Sequence, residues 1–298
     1  MKLNLIQKQF IINNYPEKGG PFCAESLNIP REAVSWFAGG LGLKTYAPRR
    51  RKNNIDIEKW KKMEDKYICY FLGLLFADGS IDKKRVYLGI SSTDFNDIKE
   101  NLKKTYNKAC TYTKKRVEGW KEISCLYLLS MDLCDFIREF NFKGNDFSCI
   151  NHIPKNNIKY FLRGLIDGDG HLKYRTCDRG GSVLFNIASC HNFDWTILNK
   201  FFTEIFNYTP RIVRNTHKKT GHQNSVFYIT SSAVLTSFFN WIYEDYEEDK
   251  LGFSRKYEQY LKIKKHFELI IAEGRNTSKH KNFLTIVELK EKVDKIIL

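Results

Sequence analysis

Two aspartates in matching surroundings are the residues of this chain best placed to do chemistry. Asp78 closes the run YFLGLLFAD and is followed by Gly79; Asp169 closes YFLRGLIDGD and is followed by Gly170. Both runs are apolar enough to form buried helices. Gly79 and Gly170 suit the left-handed position that ends a helix. That puts both carboxylates in a last helical turn, where the macrodipole disfavours negative charge. Two such placements point to a positive partner at both helix ends. Gly73 and Gly164 precede the two aspartates at equal spacing, and a residue without a Cβ lets two helices pack closely. Asp78 and Asp169 would then meet, and adjacent carboxylates repel unless cations lie between them. Hard divalent ions with oxygen ligands fit, Mg²⁺ or Mn²⁺. The chemistry this allows is metal-assisted phosphodiester hydrolysis, with a water activated and the departing 3′ oxygen stabilised.

The nonamer from Leu162 to Gly170, with Phe71 to Gly79 as its first copy, resembles the signature of the LAGLIDADG homing endonucleases. The second copy departs at Arg163 and carries Gly168 in a variant position; the first has Phe76 where the motif has its first Asp. The resemblance implies that Asp78 and Asp169 are the metal-binding acids and that the fold is α+β. In that fold two antiparallel, saddle-shaped sheets flank a central helix pair on a pseudo-two-fold axis. It also implies cleavage of both strands of a long DNA target to leave 3′ overhangs, and one lysine per half acting on the water or the phosphorane charge. Lys143 holds that place in the first half. Lys256 is the choice in the second, with Lys250 behind it.

The elements that must position these groups recur. Asp169 lies 91 residues after Asp78 (169 − 78). Val183 to Ile187 repeats Val86 to Ile90, Asp194 to Phe206 repeats the amphipathic helix from Asp94 to Tyr106, and Ser225 to Ser231 repeats Ser124 to Ser130. The offset grows from 91 to 97 (183 − 86) and 101 (225 − 124), so the second copy carries small insertions, the first at the Asp178–Gly181 hairpin tip. This duplication is independent of the signature and predicts a doubled α+β unit. Residues 55–157 form the first half and 158–265 the second. The first half opens with a helix from Ile55 to Lys66, has a second strand from Thr111 to Arg116, and closes with a helix from Met131 to Phe140. Ala233 to Glu244 closes the second half. Residues 266–298 form a helical tail, whose Phe283–Ile297 helix either packs on the body or touches DNA.

The first 47 residues read as a separate helical module. Leu3, Ile6, Phe10 and Ile11 keep helical spacing, the run Gly19-Gly20-Pro21 breaks the helix, Asn28 suits a left-handed turn, and Pro30 opens the next helix at its first position. Ala24, Asn28 and Val34 resemble a helix-turn-helix, with Arg31, Ser35 and Trp36 on the groove-facing side; an ordinary three-helix cap is the alternative. Residues 48–54 form a basic linker whose Arg49, Arg50 and Arg51 either track phosphates or are simply solvated.

Composition narrows the partners. The chain has 298 residues and a net charge of +15, with 42% hydrophobic and 28% charged residues. Its pI is near 9.3, which favours a polyanion. Lys83, Arg85, Lys114, Arg116, Lys173, Arg175, Arg211, Arg214 and Lys218 gather at predicted strand ends and hairpin tips, interleaved with Tyr87, Tyr112 and Tyr174. They are candidate contacts to phosphates and base edges. The eight cysteines form no C-x-x-C pair, which speaks against a zinc finger. The first ten residues lack a secretory core, and neither end carries the groups that protein splicing needs. The chain is therefore expected to be a monomeric, cytoplasmic double-stranded DNA endonuclease of bacterial, phage or organellar origin, with no membrane association. The alternative on the same fold is an RNA maturase, with intron RNA as partner, or a DNA-binding regulator without cleavage.

Overall fold

A computed structural model gives the fold and describes residues 3–44, 55–105, 110–114, 122–175, 182–216, 220–221, 223–273 and 283–295. The chain divides into two compact units, Met1–Lys52 and Asn53–Leu298.

The first unit holds α1 (Leu5–Leu27) and α2 (Arg31–Gly40). Asn4 and Gln7 cap each other's backbone N–H groups at the start of α1, a reciprocal capping box. The break expected at Gly19 is present: its φ of 79° and ψ of 171° interrupt α1. Asn28 takes the left-handed turn, with φ and ψ both 49°. Pro30 stands one place earlier than expected, as the N-cap of α2 rather than its first residue. Ile11, Cys23, Val34 and Ala38 form the small core.

The second unit opens with α3 (Ile57–Lys62), shorter than the predicted helix because Met63 turns left-handed. Next comes α4 (Lys66–Asp78), capped by Asp65 and buried on every side from Ile68 to Phe76. An all-round apolar helix belongs at the centre of a fold. From α4 the chain runs into β1 (Gly79–Ile81), β2 (Arg85–Ser91), α5 (Ser92–Lys103), β3 (Cys110–Lys114), β4 (Ile123–Leu129) and α6 (Met131–Glu139). Two short 3₁₀ turns lead to α7 (Ile158–Asp169), and the order repeats. It runs β5 (Gly170–Arg175), β6 (Ser182–Cys190), α8 (Thr196–Phe206), β7 (Arg211–Thr216), β8 (Gln223–Ile229) and α9 (Ser232–Ile242). The sheets are β1-β2-β4-β3 and β5-β6-β8-β7, antiparallel throughout. Each half is thus the same α+β unit, and the duplication is a property of topology as well as sequence.

Alternation decides which sheet face meets the helices. Val86, Leu88 and Ile90 of β2 and Val183, Phe185 and Ile187 of β6 point into the core, while Arg85, Tyr87, Leu184 and Asn186 lie on the other face. A short α10 (Tyr246–Asp249) follows α9, then α11 (Ser254–Ala272) and α12 (Ile286–Lys295). The boundary expected at residue 265 falls inside α11, which continues because Ile263 and Phe267 remain buried beyond the second half's last turn. The final helix packs on the body: Leu289 and Val293 are buried, Lys292 Nζ donates to the Ile205 carbonyl at 2.7 Å and Lys290 pairs with Glu244.

Gly79 and Gly170 do not take the left-handed conformation expected of them. Both are extended, with φ/ψ of −78°/159° and −71°/131°. They are glycine for want of space. A Cβ at Gly79 would lie 2.4 Å from the Leu75 carbonyl oxygen, and one at Gly170 would lie 2.5 Å from that of Ile166. The chain therefore passes from helix to strand without a reversing residue.

Candidate active site

The central helices touch backbone to backbone. A Cβ on Gly73 would stand 2.0 Å from the Phe161 carbonyl oxygen, and one on Gly164 would stand 2.1 Å from that of Tyr70. Farther along, a Cβ on Gly168 would meet the Ala77 methyl at 2.5 Å and Asp78 Oδ2 at 3.2 Å. Asp78 therefore lies against the residue that precedes Asp169, and the two aspartates sit side by side where α4 and α7 end.

Both aspartates keep exposed surface, yet the protein packed around each carboxyl makes it hold its proton more tightly than an ordinary aspartate. Burial is the main cause for each. Asp169 is pushed up to about 6, with the neighbouring Asp78 adding to burial and Lys143 and Lys256 opposing it. Asp78 is raised by burial against the pull of Lys143, Lys256 and Arg255. Lys143 Nζ donates to the Phe76 carbonyl at 2.8 Å, which holds it at the C-terminal end of α4. Lys256 is buried in the first turn of α11, and its Nζ donates to the Gly170 carbonyl, next to Asp169. Burial lowers the pKa of both lysines, that of Lys256 to about 8, with the adjacent Arg255 helping. All four residues singled out for chemistry thus lie at one place. Lys250, the second choice, is the exposed left-handed cap of α10 and pairs with Glu247.

The donor set suits a hard divalent ion. Among the described residues no three His, Cys, Asp or Glu side chains gather into a metal-binding group. An ion held by Asp78 and Asp169 would complete its shell with water and phosphate oxygens, as Mg²⁺ commonly does. A bound cation would oppose the desolvation that raises both carboxyls.

The motif positions that depart from the signature are structural. Phe76 stacks on Phe147 with centroids 5.2 Å apart and meets Phe161 and Phe193 edge-on. Its counterpart Asp167 is fully buried. Its Oδ2 accepts from the Tyr70 hydroxyl at 2.8 Å and from the Phe253 N–H at 2.9 Å, tying α4 to the start of α11. Arg163 is also fully buried. It donates to the carbonyls of Ile242 and Leu251 and pairs with Asp245 at 2.5 Å. These roles were invisible in the sequence, because each depends on a partner about eighty residues or more away.

The candidate DNA contacts divide. Lys83 and Arg85 are exposed at the β1–β2 turn, where Asp82 pairs with Arg85 at 2.6 Å. Lys173 shares the sheet face away from the helices with His171, since Leu172 faces the core; Arg175 is a position of the same parity. Arg211 pairs in register with Tyr228 on that open face. Arg214 has the opposite parity, that of the half-buried Ile212, and its Nε donates to the His191 carbonyl at 3.2 Å. Lys114 is a β3 position opposite Ile123. Arg31, Ser35 and Trp36 form an exposed face of α2 in the first unit, Trp36 being 84% exposed. Arg49, Arg50, Arg51, Arg116 and Lys218 lie outside the described residues. No described helix is long and apolar enough to cross a membrane.

No family model and no curated protein sequence matches the chain. Solved structures of similar fold include the LAGLIDADG homing endonuclease I-GzeII in complex with its DNA target, at 15% identity and a TM-score of 0.47, over 76% of this chain and 97% of that one. The meganuclease I-SmaMI bound to uncleaveable DNA is similar at 13% identity and a TM-score of 0.46, over 76% and 96% of the two chains. Full-length WhiA from Thermatoga maritima is similar at 17% identity and a TM-score of 0.40, over 76% and 73%. These similarities are loose, and the duplicated topology and the paired aspartates stand on the chain's own residues.

Proposed function

We propose that this chain is a LAGLIDADG-type endonuclease that hydrolyses both strands of a long double-stranded DNA target with Mg²⁺ or Mn²⁺ and leaves 3′ overhangs. The observation that carries the proposal is the convergence of Asp78 and Asp169 beside Lys143 and Lys256, at the end of a helix pair closed by Gly73 and Gly164. When bound, the divalent ion would make a water more acidic and neutralise charge on the departing 3′ oxygen. The two carboxylates hold the ion's place between the halves. Each lysine keeps a proton donor next to the acids in a partly desolvated site, where an ammonium stabilises developing phosphorane charge more strongly than in water. The carbonyls of Phe76 and Gly170 aim the two ammonium groups.

Binding is assigned to the basic surface. The chain's +15 charge supplies the sequence-independent attraction to phosphates. Lys173 and Arg211, on the open face of the second sheet, are positioned to read base edges. In the first unit, Arg31, Ser35 and Trp36 of α2 form the reading face of a helix-turn-helix that adds contacts beyond the main site. The protein acts as a monomer, since both halves of the site lie in one chain.

Binding of RNA or DNA without cleavage is the other function open to this fold, and the Phe76 departure would favour it if that position served catalysis. Phe76 fills an aromatic cluster with Phe147, Phe161 and Phe193, so that substitution speaks about packing and not about lost catalysis. The test is a randomised duplex library treated with the purified protein and Mg²⁺, with Ca²⁺ as control, followed by sequencing of cut ends. One enriched long site with staggered 3′ ends supports the proposal. Salt-sensitive binding without any cutting favours the non-cleaving function.

A further inference from the structure

The first turn of α11 carries Lys256, yet the second half does not hold that turn by itself. Its N-cap residue Phe253 offers no side-chain hydrogen bond. The orphan N–H groups of a helix start need partners, and two carboxylates reach in from elsewhere. Asp167 takes the Phe253 N–H at 2.9 Å. Asp97 of α5, in the first half, takes the Ser254 N–H at 2.9 Å and its hydroxyl at 2.8 Å. Next to it, Asp94 of α5 accepts two bonds from Arg255, Nε to Oδ1 at 2.7 Å and Nη2 to Oδ2 at 3.0 Å. Farther along α5, Asn101 Nδ2 donates to the carbonyls of Asp249 and Lys250 at 3.1 and 3.2 Å.

Asp94, Asp97 and Asn101 have the i, i+3, i+7 spacing of one helix face. They grip the segment from Asp249 to Arg255 at successive points, and Lys256 is the next residue. Bidentate carboxylate–guanidinium pairs fix geometry as well as charge, and Asp94 is buried although Arg255 is half exposed. Among the described residues, the second half has no matching stripe. Aligning the buried Leu198, Phe201 and Ile205 of α8 with Phe95, Ile98 and Leu102 of α5 puts Ile197, Lys200 and Glu204 at the three places. In the reverse direction, the start of α8 meets the loop that carries Lys143 through a backbone bond from Asp194 N–H to the Asn145 carbonyl at 2.8 Å and through the rings of Phe193 and Trp195 against Phe147, not through carboxylates.

We infer that Asp94, Asp97 and Asn101 are positioning residues. The first half's α5 sets where Lys256 stands beside the Asp169–Gly170 corner of the second half, and it does so for one lysine of the two. The catalytic consequence rests on the endonuclease proposal; the clamp itself does not. Loosening α5 should impair the lysine of one half and leave the other in place, which would uncouple cleavage of the two strands.

The direct test is lysine acetylation of the full-length, metal-free protein by N-hydroxysuccinimidyl acetate, with the rate at each lysine read by peptide mass spectrometry. In Asp94→Ala and Asp97→Ala the Lys256 rate should rise roughly tenfold as the first turn of α11 opens locally, with Lys143 unchanged. The charge-swapped pair Asp94→Arg with Arg255→Asp should bring the Lys256 rate back toward wild type. If a thermal melt shows that Asp94→Ala does not fold, Arg255→Gln and Asn101→Ala take its place. An unchanged Lys256 rate, or an equal rise at Lys143, overturns the inference. On a cleavable duplex with each strand labelled, Asp94→Asn should accumulate a nicked intermediate at wild-type DNA affinity in Ca²⁺; equal slowing of both strands contradicts strand-specific positioning. Should the wild type cut neither strand, the endonuclease proposal falls and the acetylation rates alone decide the clamp.

Discussion

Gly73 and Gly164 occupy reciprocal positions: each faces the carbonyl oxygen of the residue three places before the other, Phe161 for Gly73 and Tyr70 for Gly164. That relationship sets how closely α4 and α7 approach, and so sets the separation of the aspartates that end them. Gly164→Ala would push a methyl into the Tyr70 carbonyl, a backbone atom that cannot swing away. Overpacking of this kind costs typically 1–3 kcal/mol, and a loss of about 3 kcal/mol is expected in urea unfolding. A change below about 0.5 kcal/mol would mean that the helices separate freely.

The carboxyl of Asp169, ordinarily near 3.8, is raised to about 6. In the metal-free protein the folded state therefore binds this proton more tightly than the unfolded state. The stabilisation is complete below about pH 4 and is lost as pH rises through 6. Asp169→Asn cannot ionise, so it should raise the melting temperature relative to wild type above pH 6, with no gain near pH 4. Asp169 keeps exposed surface, so solvent screening holds this gain to about 1 kcal/mol or less. Mg²⁺ at pH 8 should stabilise the wild type and leave Asp169→Asn unmoved. A pH-independent difference between the two proteins would refute the raised pKa.

Asp167 holds the fold chiefly as an acceptor. Its Oδ2 takes the Tyr70 hydroxyl and the Phe253 N–H, while its buried Oδ1 has no partner. Burial pushes its pKa up to about 6. Asp167→Asn keeps an oxygen for the two donors and removes the buried charge, so it should fold with stability near wild type. Asp167→Ala orphans both donors and should cost about 2–4 kcal/mol. Equal stability of the two variants by chemical denaturation would contradict this division.

Removal of residues 1–54 should weaken DNA binding and shorten the protected footprint, while cleavage at saturating protein keeps its rate. Affinity and footprint unchanged from the full chain would deny the first unit a part in recognition.

Much of the site was legible in the sequence because it rests on local signals. The Asp-Gly pairs ending two apolar runs, and the glycines before them, are visible without any knowledge of contacts, and the structure brings Asp78, Asp169, Lys143 and Lys256 together. The duplicated strand and helix patterns likewise foretold two like halves. Gly79 and Gly170 misled because a glycine after a helix usually marks a left-handed φ, whereas here it marks missing room beside Leu75 and Ile166. The strands directly after the motifs were not foreseen, although the alternation His171, Leu172, Lys173, Tyr174 carried the signal. Asp94, Asp97 and Asn101 looked like the polar face of an amphipathic helix. The grip of Asp94 and Asp97 on Arg255 and Ser254, and of Asn101 on the Asp249 and Lys250 carbonyls, spans about 150 residues or more, and no local pattern reports it.

The central claim is that Asp78 and Asp169 together hold the metal that cuts DNA. The most direct measurement is cleavage of the enriched target by Asp78→Asn and Asp169→Asn in Mg²⁺, beside their DNA affinity in Ca²⁺. The account predicts that both variants bind as the wild type does and cut neither strand. Metal-dependent cutting by both variants at a rate near wild type would contradict it.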